Sequence, residues 1–175
     1  MKKISVIGSG TMGSGIAQVA ATFGVAVTLV DNNSQFLESS RIKLGNIFNK
    51  LVDKGKIDEG TSKNIINNIH WTSQLADISN SELVIEAIIE NLEIKKKLFT
   101  ELESLVSRKC ILATNTSSLS VSEIASVCEH TERVMGIHFF NPVPLMKLVE
   151  MIPARDSAPD ILSIIQSFIG GWGKT

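Results

Sequence analysis

One junction constrains this chain more than any other feature: the run Ile4-Ser5-Val6-Ile7, followed at once by Gly8-Ser9-Gly10-Thr11-Met12-Gly13. A short, β-branched apolar stretch reads as a buried strand, and Gly8 ends it. Beyond the glycines, Ile16, Val19, Ala20 and Phe23 recur at helical spacing, and Gly24 is placed to stop that helix. Val25 to Val30 reads as a second buried strand, ending at Asp31. Strand, glycine turn, helix and strand within about 30 residues make one βαβ unit. The G-x-G-x-x-G pattern is weak alone, but this context is the one in which it binds a dinucleotide.

Each residue of the turn then has a physical task. Gly8 permits the tight turn, Gly10 lets a pyrophosphate approach the backbone, and Gly13 lets the helix pack close to the strand. The N-terminus of the helix, at Thr11 and Met12, offers free N–H groups and a positive dipole end to phosphate. Asp31 lies 18 residues past Gly13, close to the spacing at which an acid accepts from ribose hydroxyls. A 2′-phosphate there would meet a carboxylate, and Asn32-Asn33-Ser34-Gln35 contains no Arg. NAD is therefore expected over NADP. A second phosphate motif is imitated by Gly173-Lys174-Thr175, but Phe168 stands where a P-loop needs its first Gly, and no helix can follow.

Strands and helices continue to alternate. Ser34 is expected to cap a long helix carrying Leu37, Leu44, Ile47, Phe48 and Leu51, which Gly55 breaks. A shorter helical stretch bears Ile65, Ile66 and Ile69. These two helices, spanning 34–69, exceed what a crossover needs and read as an excursion that contacts a ligand. Leu83 to Ala87, Cys110 to Thr114, Val134 to His138 and Leu148 to Ile152 read as further strands, separated by helices at Leu92–Val106 and Ser120–Val127. A last helix runs from Ala158 to Ile169, with Gly170-Gly171 closing it. The expected class is α/β: a Rossmann-type, doubly wound, mostly parallel sheet occupying 1–175 as one domain.

Composition removes several functions. Seventeen Lys and Arg against eighteen Asp and Glu leave a net charge of −1, and aromatics are only 5% with no Tyr. Neither phosphate neutralisation nor base stacking is served, so nucleic acid is not an expected partner. Ile4 to Val30 carries no charge, but glycines and serines interrupt it, so no membrane span or targeting segment is read there. Cys110 and Cys128 cannot make a disulfide framework; they fit buried apolar roles and a cytoplasmic setting.

Three histidines are present. His70 and His130 read as surface residues, whereas His138 ends an apolar strand, at the edge where open α/β sheets bind ligands. Ser117 follows another strand at that edge, and Glu150 lies 12 residues past His138, where a return strand can bring it alongside. Imidazole as proton acceptor, carboxylate as its orienting partner and hydroxyl as holder of the reacting oxygen together suit oxidation of an alcohol. The spacing is equally compatible with a satisfied strand-end His, a loop-capping Ser and a solvated Glu.

At these same residues the chain resembles the L-3-hydroxyacyl-CoA dehydrogenase family, in particular its 3-hydroxybutyryl-CoA type. The matching stretches are Val6 to Gln18, Glu86 to Asn91, Asn115 to Leu119 and His138 to Glu150. The resemblance implies reversible, NAD-dependent oxidation of an (S)-3-hydroxyacyl-CoA to the 3-oxoacyl-CoA. It makes His138 the general acid/base, Glu150 its partner and Ser117 a contact to substrate oxygen and nicotinamide. Asp31, Glu90, Lys95, Asn115 and Asn141 become cofactor contacts, although Lys95-Lys96-Lys97 by itself reads as a solvated helix face. The excursion becomes the CoA-contacting part, with Lys50 and Lys54 as candidates. The family continues into a helical C-terminal domain that pairs two copies, closes the site and supplies a catalytic Asn; this chain is expected to lack it and to be weakly active or inactive alone. The alternatives are a dinucleotide-binding module without catalysis and another hydroxy-acid dehydrogenase.

Overall fold

The structure, a computed structural model, describes residues 1–175. Seven strands form one sheet: β1 (Lys3–Ile7), β2 (Ala26–Val30), β3 (Ile69–Thr72), β4 (Leu83–Glu86), β5 (Ile111–Thr114), β6 (Val134–Phe139) and β7 (Val149–Pro153). Their spatial order is β3-β2-β1-β4-β5-β6-β7. All pairs are parallel except β6 with β7. The order reverses direction between β1 and β4, which opens a crevice at the carboxyl ends of those two strands.

The strands alternate between two apolar layers, as a sheet covered on both faces requires. Leu83 and Ile85 of β4, Ile111 and Ala113 of β5, and Met135 and Ile137 of β6 face one layer. Helices α1 (Thr11–Thr22), α2 (Ser34–Asp53) and α3 (Glu59–Asn67) cover it, with α6 (Pro159–Gly170). Ile16, Leu44, Phe48, Ile65, Ile161 and Ile165 supply the helix side. Val84, Leu112 and Val134 face the other layer, packed by Phe99 and Leu102 of α4 (Leu92–Leu105) and Ile124 of α5 (Val121–Ala125).

Several elements differ from the expectations. The sequence reading ends the excursion at 69, but helix stops at Asn67 and Ile69 opens β3, which pairs with β2 from Val27↔Ile69 to Val30↔Thr72. Ile69-His70-Trp71-Thr72 is short, and its edge position leaves His70 exposed and Trp71 half-buried, so no clean alternation marks it. Asn33, rather than Ser34, caps α2: its Oδ1 accepts from the N–H groups of Gln35 and Phe36. His130 is half-buried rather than on the surface; its Nε2 is buried without a partner, and its Nδ1 lies 3.3 Å from Glu132. The end of the chain folds back onto the β6–β7 loop. Lys174 is buried and donates to the carbonyls of Val143 (2.5 Å) and Met146 (2.8 Å), while Thr175 and Val149 join the same backbone pairing. No helix is long and apolar enough to cross a membrane.

Two glycines of the turn are dictated by space. Gly8 has φ +100, which only glycine adopts without strain, and its N–H donates to Val30 O at 2.7 Å. A Cβ on Gly13 would stand 1.8 Å from the Gly8 carbonyl oxygen. Gly13→Ala is therefore expected to cost roughly 3 kcal/mol or more, read as a lowered urea midpoint. Both thiols are buried, and loss of solvation pushes each up to about 12. At pH 8 neither Cys110 nor Cys128 should react with a thiol reagent until denaturant is added; fast labelling of the native chain would contradict this.

Candidate active site

The carboxyl ends of β1, β4, β5 and β6 surround a cleft of about 320 Å³. Met12 enters it from the glycine turn, Glu90 and Lys95 from the segment after β4, Asn115 and Ser117 from the end of β5, and His138 and Asn141 from the end of β6. The parallel register explains the convergence. Ile7, Glu86 and Thr114 are adjacent rungs on neighbouring strands, so the segments after them emerge together.

His138 and Glu150 meet across the antiparallel pair. They are direct register partners, and His138 Nδ1 lies 2.7 Å from Glu150 Oε2. Only reversal of the chain after β6 achieves this, through the loop that Lys174 closes. The carboxylate holds the ring proton at Nδ1 and leaves Nε2 as the acceptor nitrogen. The Phe140 ring, 4.5 Å from the imidazole between centroids, limits its rotation. Glu150 remains half exposed, with one carboxylate oxygen engaged by the imidazole.

The glycine turn offers an anion cradle. Gly10 caps α1 without a side-chain hydrogen bond, so the first N–H groups of the helix have no protein partner. A Cβ on Gly10 would meet nothing within 4 Å, which leaves room for a ligand against the backbone. Asp31 stands beside the turn: its Oδ2 accepts from both the N–H and the hydroxyl of Ser9, each at 2.8 Å, and Oδ1 accepts from Asn33 N–H at 3.0 Å. Ser9 was not anticipated, and nothing in its position in the sequence marks it out. Free N–H groups, open space and a fixed carboxylate fit the phosphates and ribose of a dinucleotide.

Lys95 contradicts the reading of a solvated helix face. Its side chain is 1% exposed, with Nζ 2.5 Å from Glu86 Oε1 and 3.3 Å from Glu90 Oε2. The apolar residues of α4 are spaced so that Lys95 shares the inward face with Phe99 and Leu102. Glu86, fully buried, also accepts from Ile88 N–H (2.7 Å) and from the Thr114 hydroxyl (2.6 Å). Its signal was present in the sequence: a carboxylate ending an otherwise apolar strand. Glu90 in turn gathers the β5 loop, accepting from the Thr116 hydroxyl, from Ser117 N–H at 3.0 Å and from the Ser118 hydroxyl at 3.2 Å. Asn115 Oδ1 accepts from Phe139 N–H at 2.9 Å, tying that loop to β6.

Lys50 and Lys54 lie apart from this cleft. Lys50 lines an open groove along α2 with Gln35, Ile42 and Asn46, and Lys54 follows that helix as its exposed C-cap.

Burial pushes Glu90 upward, but the hydrogen bonds of Thr116 and Ser117 and the charge of Lys95 outweigh it and hold the carboxyl below its ordinary value. A lowered native value adds stability above the unfolded pKa, and that stability is lost as pH falls through the native one. Glu90→Gln should therefore lower the urea midpoint at pH 7, with the gap to wild type narrowing as pH falls below that of an ordinary glutamate. An equal gap at pH 7 and pH 3 would refute this.

Comparison with known proteins gives the cleft a family. The profile of the "3-hydroxyacyl-CoA dehydrogenase, NAD binding domain" family matches residues 3–175. A 3-hydroxybutyryl-CoA dehydrogenase of Clostridioides difficile is 45% identical over 153 residues, 87% of this chain and 54% of that protein. A probable 3-hydroxybutyryl-CoA dehydrogenase of Bacillus subtilis is 40% identical, matching 100% of this chain and 61% of the relative. The crystal structure of 3-hydroxybutyryl-CoA dehydrogenase from Escherichia coli K12 superposes with a TM-score of 0.97 at 37% identity, over 99% of this chain and 37% of that one. The chain thus spans between 37% and 62% of the length of the curated relatives it matches. With the glycine turn, the acid after β2 and this match over nearly every residue, the chain belongs to the 3-hydroxyacyl-CoA dehydrogenase family, as its NAD-binding domain.

Proposed function

We propose that this chain is the cofactor-binding part of an NAD-dependent (S)-3-hydroxyacyl-CoA dehydrogenase acting on a short acyl chain, with 3-hydroxybutyryl-CoA as the expected substrate. The observation that carries the reading is the 2.7 Å His138–Glu150 pair, set in the same cleft as Met12 of the glycine turn. A domain that only held the cofactor has no use for an oriented proton acceptor there.

The pyrophosphate is held by the N–H groups that open α1, with Gly8, Gly10, Thr11 and Gly13 shaping the approach. Asp31, fixed by Ser9, takes the adenosine ribose hydroxyls. When bound, NAD supplies the hydride acceptor for the substrate carbon. The substrate hydroxyl proton goes to Nε2 of His138, and Glu150 stabilises the imidazolium that results. Ser117 has its N–H engaged by Glu90 and its hydroxyl available for the substrate oxygen. Asn141 lines the same wall, and Lys50 and Lys54 are assigned to the CoA moiety. The remaining length of the relatives is assigned the closing of the site and the pairing of two copies. Leu145, Met146 and Leu148, exposed on the β6–β7 loop, suit such a cover. Without it water enters and the substrate is loosely placed, so turnover by this chain alone is low.

The test combines binding and turnover. The 175-residue chain should bind NAD more tightly than NADP, and Asp31→Ala should erase most of that preference. Gly10→Ala should leave the melting temperature nearly unchanged while weakening NAD at least about tenfold, since the added methyl occupies the phosphate approach. NADH oxidation should depend on acetoacetyl-CoA and not on free acetoacetate. In a chain joined to the relatives' remaining domain, His138→Gln should slow it about 10²-fold or more, with NAD affinity retained. Undiminished turnover in His138→Gln would overturn the role given to His138.

A further inference from the structure

The segment between β4 and α4 carries more charge than holding a cofactor in place requires. Glu86, Glu90 and Lys95 form one connected cluster, with Lys95 Nζ between the two carboxylates. Every contact of Glu86 is a donor: the Ile88 N–H, the Thr114 hydroxyl and the Lys95 ammonium. Two carboxylates and one ammonium leave one surplus negative charge; Lys95 lies closer to Glu86 than to Glu90, so the surplus falls on Glu90, which is 38% exposed and lines the cleft. Glu90 and Lys95 are themselves part of the cleft lining, with Met12 and His138. A charge in the wall itself acts over the neighbouring cleft at short range, where solvent screens it only in part. The His138–Glu150 pair contributes its own charge at the other wall, but it is untouched by changes in this cluster.

The oxidised nicotinamide ring carries a positive charge that the reduced ring lacks. Resting on the reading of the cleft as the nicotinamide site, we propose that Glu86 is a positioning residue that sets the balance between the two forms of the cofactor. Its buried carboxylate holds Lys95 in place and keeps the wall one unit negative, so NAD is favoured over NADH relative to a neutral wall. Glu86 touches neither cofactor nor substrate; it acts through Lys95 and through the field. Stabilising the oxidised ring makes it a weaker hydride acceptor, so the wall draws the equilibrium on the protein toward the alcohol and NAD.

Net charge, rather than the presence of any one side chain, should then track the preference. The quantity to measure is the ratio of Kd for NADH to Kd for NAD, by titration of the 175-residue chain, with circular dichroism and thermal melting as the check on folding. Glu86→Gln makes the wall neutral while retaining the shape of the side chain, and should lower the ratio about threefold to tenfold. Lys95→Gln makes it doubly negative and should raise the ratio by a similar factor. The double variant Glu86→Gln with Lys95→Gln returns the wall to one negative charge and should restore the wild-type ratio within about twofold. Should Glu86→Gln fail to fold, the double variant, which buries neither charge, and Lys95→Gln carry the test. A ratio that stays at the wild-type value in the folded single variants, or that fails to return in the double variant, overturns the proposal. A wild-type chain that binds neither form overturns the cofactor reading itself, which is a separate result.

Discussion

The contact between the Gly8 carbonyl and the α-carbon of Gly13 is the constraint from which the rest follows. It leaves no room for a methyl group, and so brings the first turn of α1 directly against the end of β1. That closeness points unpaired helix N–H groups across the carboxyl edge of the sheet. It coincides with the place where the strand order reverses, so no helix or loop of the same layer fills the gap. Gly15 extends the effect: a Cβ there would come within 3.0 Å of Val143, so its absence lets the β6–β7 loop settle on α1. The loop then holds β7 against β6, and with it Glu150 against His138.

Buried polar groups do the remaining fixing. A charged group taken from water is tolerated only when its hydrogen bonds are satisfied. Glu86 and Lys95 meet that condition by bonding one another and by drawing in Ile88, Thr114 and Glu90. The same bonds therefore stabilise the fold and hold the loops after β4 and β5 in register with one another. Ser9, Ser14 and Ser40 make a smaller version on the other side of the turn. Ser14 donates to the Ser9 carbonyl and lies 2.6 to 2.7 Å from each of its two partners, linking Asp31, α1 and α2.

Much of this was legible beforehand, and the failures have physical causes. The strands at Ile4–Ile7, Leu83–Ile85 and Val134–Ile137 are buried on both faces and read as short, mostly apolar runs. The edge strand β3 is not, and its Ile69 passed as the last apolar residue of a helix. The solvated reading of Lys95 fails because three consecutive lysines signal solvent, although only one of them falls on the inward side of α4. His130 looked exposed among Glu129, Thr131 and Glu132, but Glu103 draws that segment inward by accepting from the N–H groups of Glu129 and His130.

By itself the sequence determined the local units: the glycine turn with its acid after β2, the α/β alternation, and the residue types able to hold a nucleotide and move a proton. These rest on interactions between near neighbours, on period and on the size of single side chains, all of which a linear pattern records. Only the tertiary structure decided that Glu150 lies opposite His138, that Lys95 turns inward to Glu86, and that Lys174 locks the loop between them. Those outcomes depend on strand register and on which buried charge finds a partner, and both are settled by parts of the chain brought together only when the sheet assembles.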